Sequence, residues 1–216
     1  MTYTRVIGVA CDKVITLIVR ALALSRIHPN VLTFIGLVIN GVAAVLLASG
    51  RFVAAGVVMI TAGLFDMVDG RVARETKQVT VFGGFFDSVM DRYSDLVLLM
   101  GLLVYYASIN RFFYIVLTAV VMTASVMVSY TRARAECTIP KCKVGFMERP
   151  ERMVLLILGA LFNRMAPVLW VIAVIGNISV IHRMLFTWQV TNPRTPKPSG
   201  VPAAPAKEAP PVGIVR

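Results

Sequence analysis

Between positions 66 and 91 the chain places Asp66, Asp69, Gly70, Ala73 and Arg74, then, after eight residues, Gly83, Asp87 and Asp91. Five of the six aspartates in the protein fall between 66 and 95, inside a sequence that is otherwise strongly apolar. Acidic residues among membrane-type segments are costly and normally face one another, a metal or a water-filled cavity. Offsets of three, four, seven and eight return to one stripe of a helix, so Asp66, Asp69, Gly70, Ala73 and Arg74 share a face. Asp87 and Asp91 are one turn apart on the next helix, and Asp95 continues their line. Two facing helices would present four inward carboxylates, whose mutual repulsion in a low dielectric calls for cations. Oxygen ligands without Cys or His select Mg²⁺, Mn²⁺ or Ca²⁺ over zinc, with Mg²⁺ the default where phosphates complete the shell. Gly70 and Ala73 leave room for a phosphate or ribose beside the aspartates, and Arg74 can pair with phosphate oxygens in bidentate fashion. The plain structural alternative is a set of interhelical salt bridges from these aspartates to Arg71, Arg74 or Arg92.

The elements that must hold this cluster follow from composition. The chain has 216 residues, 57% of them hydrophobic, and a mean hydropathy of +0.77, above the 45–50% apolar content typical of soluble domains. Apolar segments run over 30–49, 52–73, 83–108, 112–133, 150–163 and 166–188. Each is a candidate to cross a ~30 Å hydrocarbon core, with the short fifth extended at its ends. The expected fold is therefore all-α, an integral membrane protein with six transmembrane helices. Residues 4–25 carry Arg5, Lys13 and Arg20 among apolar residues and read as an N-terminal amphipathic helix lying in the interface. The expected organisation is an interfacial helix over 1–28, a six-helix domain over 29–190 and a disordered Pro/Ala-rich tail over 191–216.

The net charge of +11 does not indicate a nucleic-acid partner, because the basic residues are divided among loops by long apolar runs. The connections near 50–51, 109–111 and 164–165 hold one arginine each, whereas the alternate connections are rich in Arg and Lys. By the positive-inside rule the rich side, both termini and the aspartates are cytoplasmic, in a multi-pass protein of the cell membrane. Cys11, Cys137 and Cys142 form no complete disulfide framework, and the first residues, with Asp12 and Lys13 interrupting the apolar stretch and no small-residue cleavage site, are not expected to act as a cleavable signal.

The pattern Asp-x2-Asp-Gly-x2-Ala-Arg-x8-Gly-x3-Asp-x3-Asp resembles the signature of the CDP-alcohol phosphatidyltransferases and matches it at every fixed position, with a likeness extending over about residues 1–190. That resemblance implies a two-metal site of Mg²⁺, with Mn²⁺ an alternative, held by Asp66, Asp69, Asp87 and Asp91. It also implies that Asp91 is the general base for the acceptor hydroxyl. Asp69, Gly70, Ala73, Arg74, Thr80 and Gly83 would hold the CDP moiety, together with Asn30, Val31, Leu32 and Thr33, which match a Pro-Asn/Asp-x2-Thr segment of the family. The implied reaction is attack by an alcohol on CDP-diacylglycerol with release of CMP, by an enzyme that is a homodimer among membrane lipids.

Two further segments bear on the acceptor. Residues 132–136 and 145–152 bring Arg132, Arg134, Arg149 and Arg152 to the aspartate side, more cations than one pyrophosphate needs, which suggests an acceptor that carries phosphate. These stretches resemble those lining the acceptor pocket of bacterial and archaeal phosphatidylinositol-phosphate synthases, so inositol 1-phosphate is favoured. Glycerol 3-phosphate, as in phosphatidylglycerophosphate synthesis, remains the alternative polyol phosphate. The arginines could instead hold lipid headgroups or pair with Glu136, Glu148 and Glu151. His182 and Arg183 read as interface anchors, and Asp95 as an interhelical hydrogen-bonding group. A cation transporter is the rival from another class, since intramembrane aspartates also mark ion pathways.

Overall fold

A computed structural model describes residues 29–75, 79–139, 142 and 144–192, leaving aside the side-chain positions 29, 69, 70, 73 and 75. The expected interfacial helix and the Pro/Ala-rich tail beyond residue 192 lie outside the described residues. Among the described residues six helices follow one another: α1 (Pro29–Ala48), α2 (Phe52–Glu75), α3 (Val81–Ser108), α4 (Phe112–Glu136), α5 (Arg149–Leu161) and α6 (Met165–Thr191). No strand occurs among the described residues. The helices coincide with the six expected segments to within a few residues. The largest boundary differences are at the carboxylate end, where the local polar sequence supplies caps that apolar periodicity does not register.

Among the described residues three helices are long and apolar enough to cross a membrane: Asn30–Ala48, Phe112–Glu136 and Met165–Thr191. The acidic and basic residues of α2 and α3 break their apolar runs, although Phe52–Val68 is an apolar stretch in its own right. Helix α5 has 13 residues, a length of roughly 20 Å at 1.5 Å per residue. The outward faces carry rows of exposed large apolar side chains, among them Val38, Val42 and Val45 on α1, Val53, Val57 and Ile60 on α2, and Val174, Ile178 and Ile181 on α6. Such continuous apolar exposure suits lipid rather than water.

Helix α1 packs against α2 and α3, α4 against α6 and α3, and α5 against α2 and α6. The core runs through Leu47, Met59, Leu98, Leu102, Val121, Leu156, Leu169 and Ile172. Helices α1 and α3 approach closely: a Cβ on Gly101 would stand 2.3 Å from the carbonyl oxygen of Ala44. This contact fixes the rise of α3 against α1 and thereby the level of the carboxylates that α3 carries.

The two ends of the bundle are built differently. At one end the turns are tight and nearly identical. Gly50, Asn110 and Asn163 each adopt positive φ, at 71°, 54° and 53°. The following amides of Arg51, Arg111 and Arg164 donate to the carbonyls of Leu46, Tyr106 and Gly159, five residues back. This is the Schellman arrangement, in which a left-handed residue lets the chain close the last turn of a helix. At the other end the connections are longer and polar. Thr80 caps α3 by accepting from the Gly83 amide at 2.9 Å. Glu148 and Glu151 form a reciprocal capping box at the start of α5, which satisfies amides that have no partner within the helix.

Candidate active site

Helix α2 delivers Asp66 and α3 delivers Asp87 and Asp91 to one place at the polar end of the bundle. One carboxylate oxygen from each lies within 4.8 Å of the others. All three side chains are half-buried, which weakens solvent screening of their repulsion. The side chains of Asp69 and Ala73, and position 70, lie outside the described residues.

A guanidinium enters this cluster. Arg149, the first residue of α5, donates through Nη1 to Asp66 Oδ2 at 2.7 Å and stands 2.9 Å from Asp91 Oδ1. The sequence had placed this arginine among the acceptor-binding cations; the fold also sets it against the metal-ligand candidates. The interhelical salt-bridge reading thus has a partner in Arg149, where Arg71, Arg74 and Arg92 were the candidates in sequence. One positive charge does not balance three carboxylates. With an all-oxygen donor set and no Cys or His in the cluster, the residues fit a hard divalent cation.

One turn beyond Asp91, Asp95 is paired with Arg152 of α5, whose Nη2 donates to Oδ2 at 2.6 Å. Arg152 Nη1 also donates to the Met147 carbonyl at 3.0 Å. Asp95 Oδ1 and Arg149 Nε, both buried and without hydrogen-bond partners, face each other at 3.7 Å. Asn40 Oδ1 is buried and unpartnered as well, in a narrow cleft shared by Thr33, Asp66, Asp91 and Arg149.

Beside the carboxylates opens a cavity of about 410 Å³ into which Arg92, Arg132, Arg149, Arg152 and Arg183 project from α3, α4, α5 and α6. Asp91, Asp95, Glu136 and Glu148 also line it. Glu148 ties the elements together, with Arg132 Nη1 at 2.5 Å and Arg183 Nη2 at 3.4 Å. Arg183, 1% exposed, also donates from Nε to the Val144 carbonyl at 2.9 Å and from Nη1 to the Val128 carbonyl. Gly145 is required here twice over: its φ is +98°, and a Cβ would lie 2.9 Å from Arg183 Nε.

Of the four arginines expected to bind the acceptor, the fold gathers Arg132, Arg149 and Arg152 at this cavity. Arg134 instead lines a separate, more apolar hollow with Tyr130, Met184 and Trp188. Two residues after Arg132 on α4, it projects to another side of the helix. Arg183 takes its place, a residue read in sequence as an interface anchor. The signal available was its isolation as a fixed charge within the apolar run 166–188.

The expected nucleotide-contact residues lie at the start of α1, in the last turns of α2 and around the start of α3. A Cβ on Gly83 would meet Thr80 Oγ1 at 3.0 Å and Asn30 Oδ1 at 3.5 Å. Thr33 faces the narrow cleft. Leu32 is 1% exposed and packs on Val68 and Val72, so its side chain anchors α1 to α2, while Val31 is half exposed. Arg74 is exposed in the last turn of α2.

A helical bundle with a carboxylate cluster next to an arginine-lined cavity defines a membrane-type enzyme site for phosphorylated substrates. Residues 26–190 match the CDP-alcohol phosphatidyltransferase family, and the chain belongs to that family. It is 32% identical over 164 residues to an archaetidylinositol phosphate synthase of Methanothermobacter thermautotrophicus, covering 73% of this chain and 82% of that one. It is 33% identical over 190 residues to the phosphatidylinositol phosphate synthase of Mycobacterium tuberculosis, covering 83% of this chain and 88% of the relative. The fold is similar to a crystal structure of the Mycobacterium tuberculosis phosphatidylinositol phosphate synthase with CDP-DAG bound, with TM-score 0.76 and 30% identity over 84% of this chain and 96% of that one. It is also similar to the structure of that enzyme in complex with manganese and citrate, with TM-score 0.75, 31% identity and coverage of 83% of this chain and 90% of that one.

Proposed function

We propose that this enzyme transfers the phosphatidyl group of CDP-diacylglycerol to a phosphorylated polyol, with inositol 1-phosphate the favoured acceptor, and releases CMP. The observation that carries the reading is the convergence of Asp66, Asp87 and Asp91 oxygens within 4.8 Å at the wall of the arginine-lined cavity. The named relatives support the choice of acceptor.

Asp66, Asp69, Asp87 and Asp91 are the residues that would hold the divalent cations, Mg²⁺ or Mn²⁺. When bound, such ions neutralise the pyrophosphate and stabilise the departing CMP. The chain's own groups do the rest. Asn30, Thr33, Gly70, Arg74, Thr80 and Gly83 hold the CDP moiety. Arg132, Arg149 and Arg183 bind the acceptor phosphate and orient its free hydroxyl toward Asp91. The Asp91 carboxylate takes the hydroxyl proton as the new oxygen–phosphorus bond forms and the bond to CMP breaks.

In the same reading all six helices cross the membrane, α5 with help from its flanking turns, and the carboxylate end is cytoplasmic. That end collects the basic connections and faces the compartment of soluble polyol phosphates. Residues 29–190 form the catalytic domain, with 1–28 along the interface.

The decisive test offers radiolabelled CDP-diacylglycerol to the purified full chain with inositol 1-phosphate, glycerol 3-phosphate, inositol and glycerol in parallel. Lipid product and stoichiometric CMP with inositol 1-phosphate are expected. Preferred use of glycerol 3-phosphate would reassign the acceptor, and absence of CMP release with any alcohol would overturn the transfer reaction.

A further inference from the structure

The end of the bundle opposite the carboxylates is positively charged by a repeated device. Each helix that opens there is immediately preceded by an arginine: Arg51 before α2, Arg111 before α4 and Arg164 before α6. A helix N-terminus carries partial positive charge, so a cation at that point is unfavourable unless an anion joins it. Neither α4 nor α6 has a side-chain cap or an acidic residue in its first turn. No Asp or Glu occurs between Asp12 and Asp66, between Asp95 and Glu136, or between Glu151 and Glu208. Among the described residues Arg51, Arg111 and Arg164 make no ion pair.

Two of these arginines meet at a cavity. A hollow of about 400 Å³ is lined by Arg111, Arg164 and Asn163 together with Tyr105, Tyr106 and Tyr114. Its volume falls within the range of small-molecule sites. The floor is organised: Tyr106 stacks on Tyr114 at 5.0 Å and meets Tyr105 edge-on at 5.3 Å. Tyr106 is 6% exposed, and its hydroxyl makes no hydrogen bond to a described residue. Two guanidinium groups, two uncapped helix N-termini and the hydroxyl of a largely buried tyrosine, which makes no hydrogen bond to a described residue, therefore line one space, and an anion with several acceptor oxygens satisfies all of them.

We propose that this cavity is a second anion site, which takes a phosphate group carried by an anionic phospholipid at the membrane face opposite the active site. It is separated from Asp91 by fifteen residues along α3, about 22 Å at 1.5 Å per residue. It is therefore distinct from the transfer site. Its assignment to the opposite face rests on the membrane reading above; the binding itself does not.

Native mass spectrometry of the delipidated full chain tests it, with dioleoyl-phosphatidylglycerol, dioleoylglycerol and inorganic phosphate as probes. The wild type should retain one phosphatidylglycerol more tightly than the Arg111→Gln/Arg164→Gln variant by about tenfold or more. The Arg111→Lys/Arg164→Lys variant, which preserves charge, should retain most of the binding, and Tyr106→Phe should weaken it less than the double glutamine change. Arg51→Gln lies outside the lining and should leave binding unchanged. CMP release at the wild-type rate shows that each variant is folded. Displacement of the lipid by millimolar phosphate would assign the same chemistry to a soluble anion. Equal retention by the wild type and the double glutamine variant, equal loss on Arg51→Gln, or equal retention of dioleoylglycerol would overturn the site.

Discussion

The guanidinium of Arg152 and the carboxylate of Asp95 meet at 2.6 Å with their side chains only 3% and 6% exposed, joining α5 to α3 in the interior. Removing one member of a buried ion pair leaves an uncompensated charge, at a cost of about 3–5 kcal/mol. Arg152→Ala and Asp95→Ala should therefore each lower the thermal unfolding temperature in detergent far more than a surface change. The double variant Asp95→Leu/Arg152→Met should recover part of the loss. Single variants as stable as the wild type would show that the pair does not hold α5 in place.

Gly101 makes a prediction of opposite character, since it carries no chemistry. A Cβ there would collide with the Ala44 backbone at 2.3 Å, whereas a Cβ on Gly36 meets nothing within 4 Å. A backbone carbonyl cannot swing aside as a side chain can, so Gly101→Ala should cost about 3 kcal/mol or more. Gly36→Ala should be neutral or stabilising by about 0.5–1 kcal/mol. Unfolding curves for the two variants provide the comparison, and equal stability would contradict the tight α1–α3 contact.

Such packing marks where sequence patterns stop being informative. The apolar segments foretold α1 to α6, because burial and lipid exposure both demand long apolar runs. The carboxylate spacing brought Asp66, Asp87 and Asp91 together, because a helical repeat converts spacing directly into a shared face. Gly101 was invisible because its importance comes from a second helix passing alongside. Arg183 was undervalued for a related reason: it lies over thirty residues from Gly145 and Glu148 in sequence, and only the return of α6 across the bundle joins them. Arg134 shows the converse. Its proximity to Arg132 suggested a common cavity, yet the turn of α4 points the two arginines apart.

The carboxylate cluster predicts strict dependence on a divalent cation. Asp66→Asn and Asp87→Asn each remove a ligand charge while keeping shape, so turnover should fall about a thousandfold or more. Thermal stability of Asp87→Asn without metal should be unchanged or higher, because fewer like charges face one another, whereas Asp66→Asn also weakens the pairing with Arg149. Isothermal titration with Mn²⁺ should show weakened binding in both variants. Full activity of the wild type in excess EDTA would refute the metal role.

Asp91 should behave differently from Asp66. If Asp91 is the base for the acceptor hydroxyl, as proposed, Asp91→Asn should reduce kcat by about 10²–10⁴-fold. Binding of CDP-diacylglycerol should persist, because the assigned work falls on the acceptor proton. Equilibrium lipid binding measured beside single-turnover CMP release separates the two effects. Normal turnover by Asp91→Asn would move the base elsewhere.

The cavity geometry divides the arginines of α4. Arg132 lines the cavity next to Glu148, while Arg134 lines a separate hollow beside Trp188. A hydrogen bond to a charged group contributes about 1.5–3 kcal/mol, so Arg132→Ala should raise the acceptor KM by about 10–100-fold. The KM for CDP-diacylglycerol should change little, since in the proposed reading its phosphates draw on Arg74 instead. Arg134→Ala should leave the acceptor KM within about twofold of the wild type, as expected for a surface position. Steady-state kinetics with inositol 1-phosphate and with free inositol supply the control: the Arg132 substitution should matter only for the phosphorylated acceptor. Should Arg134→Ala prove the more damaging change, or should free inositol react as well as its phosphate, the arginine-lined cavity would not be the acceptor site.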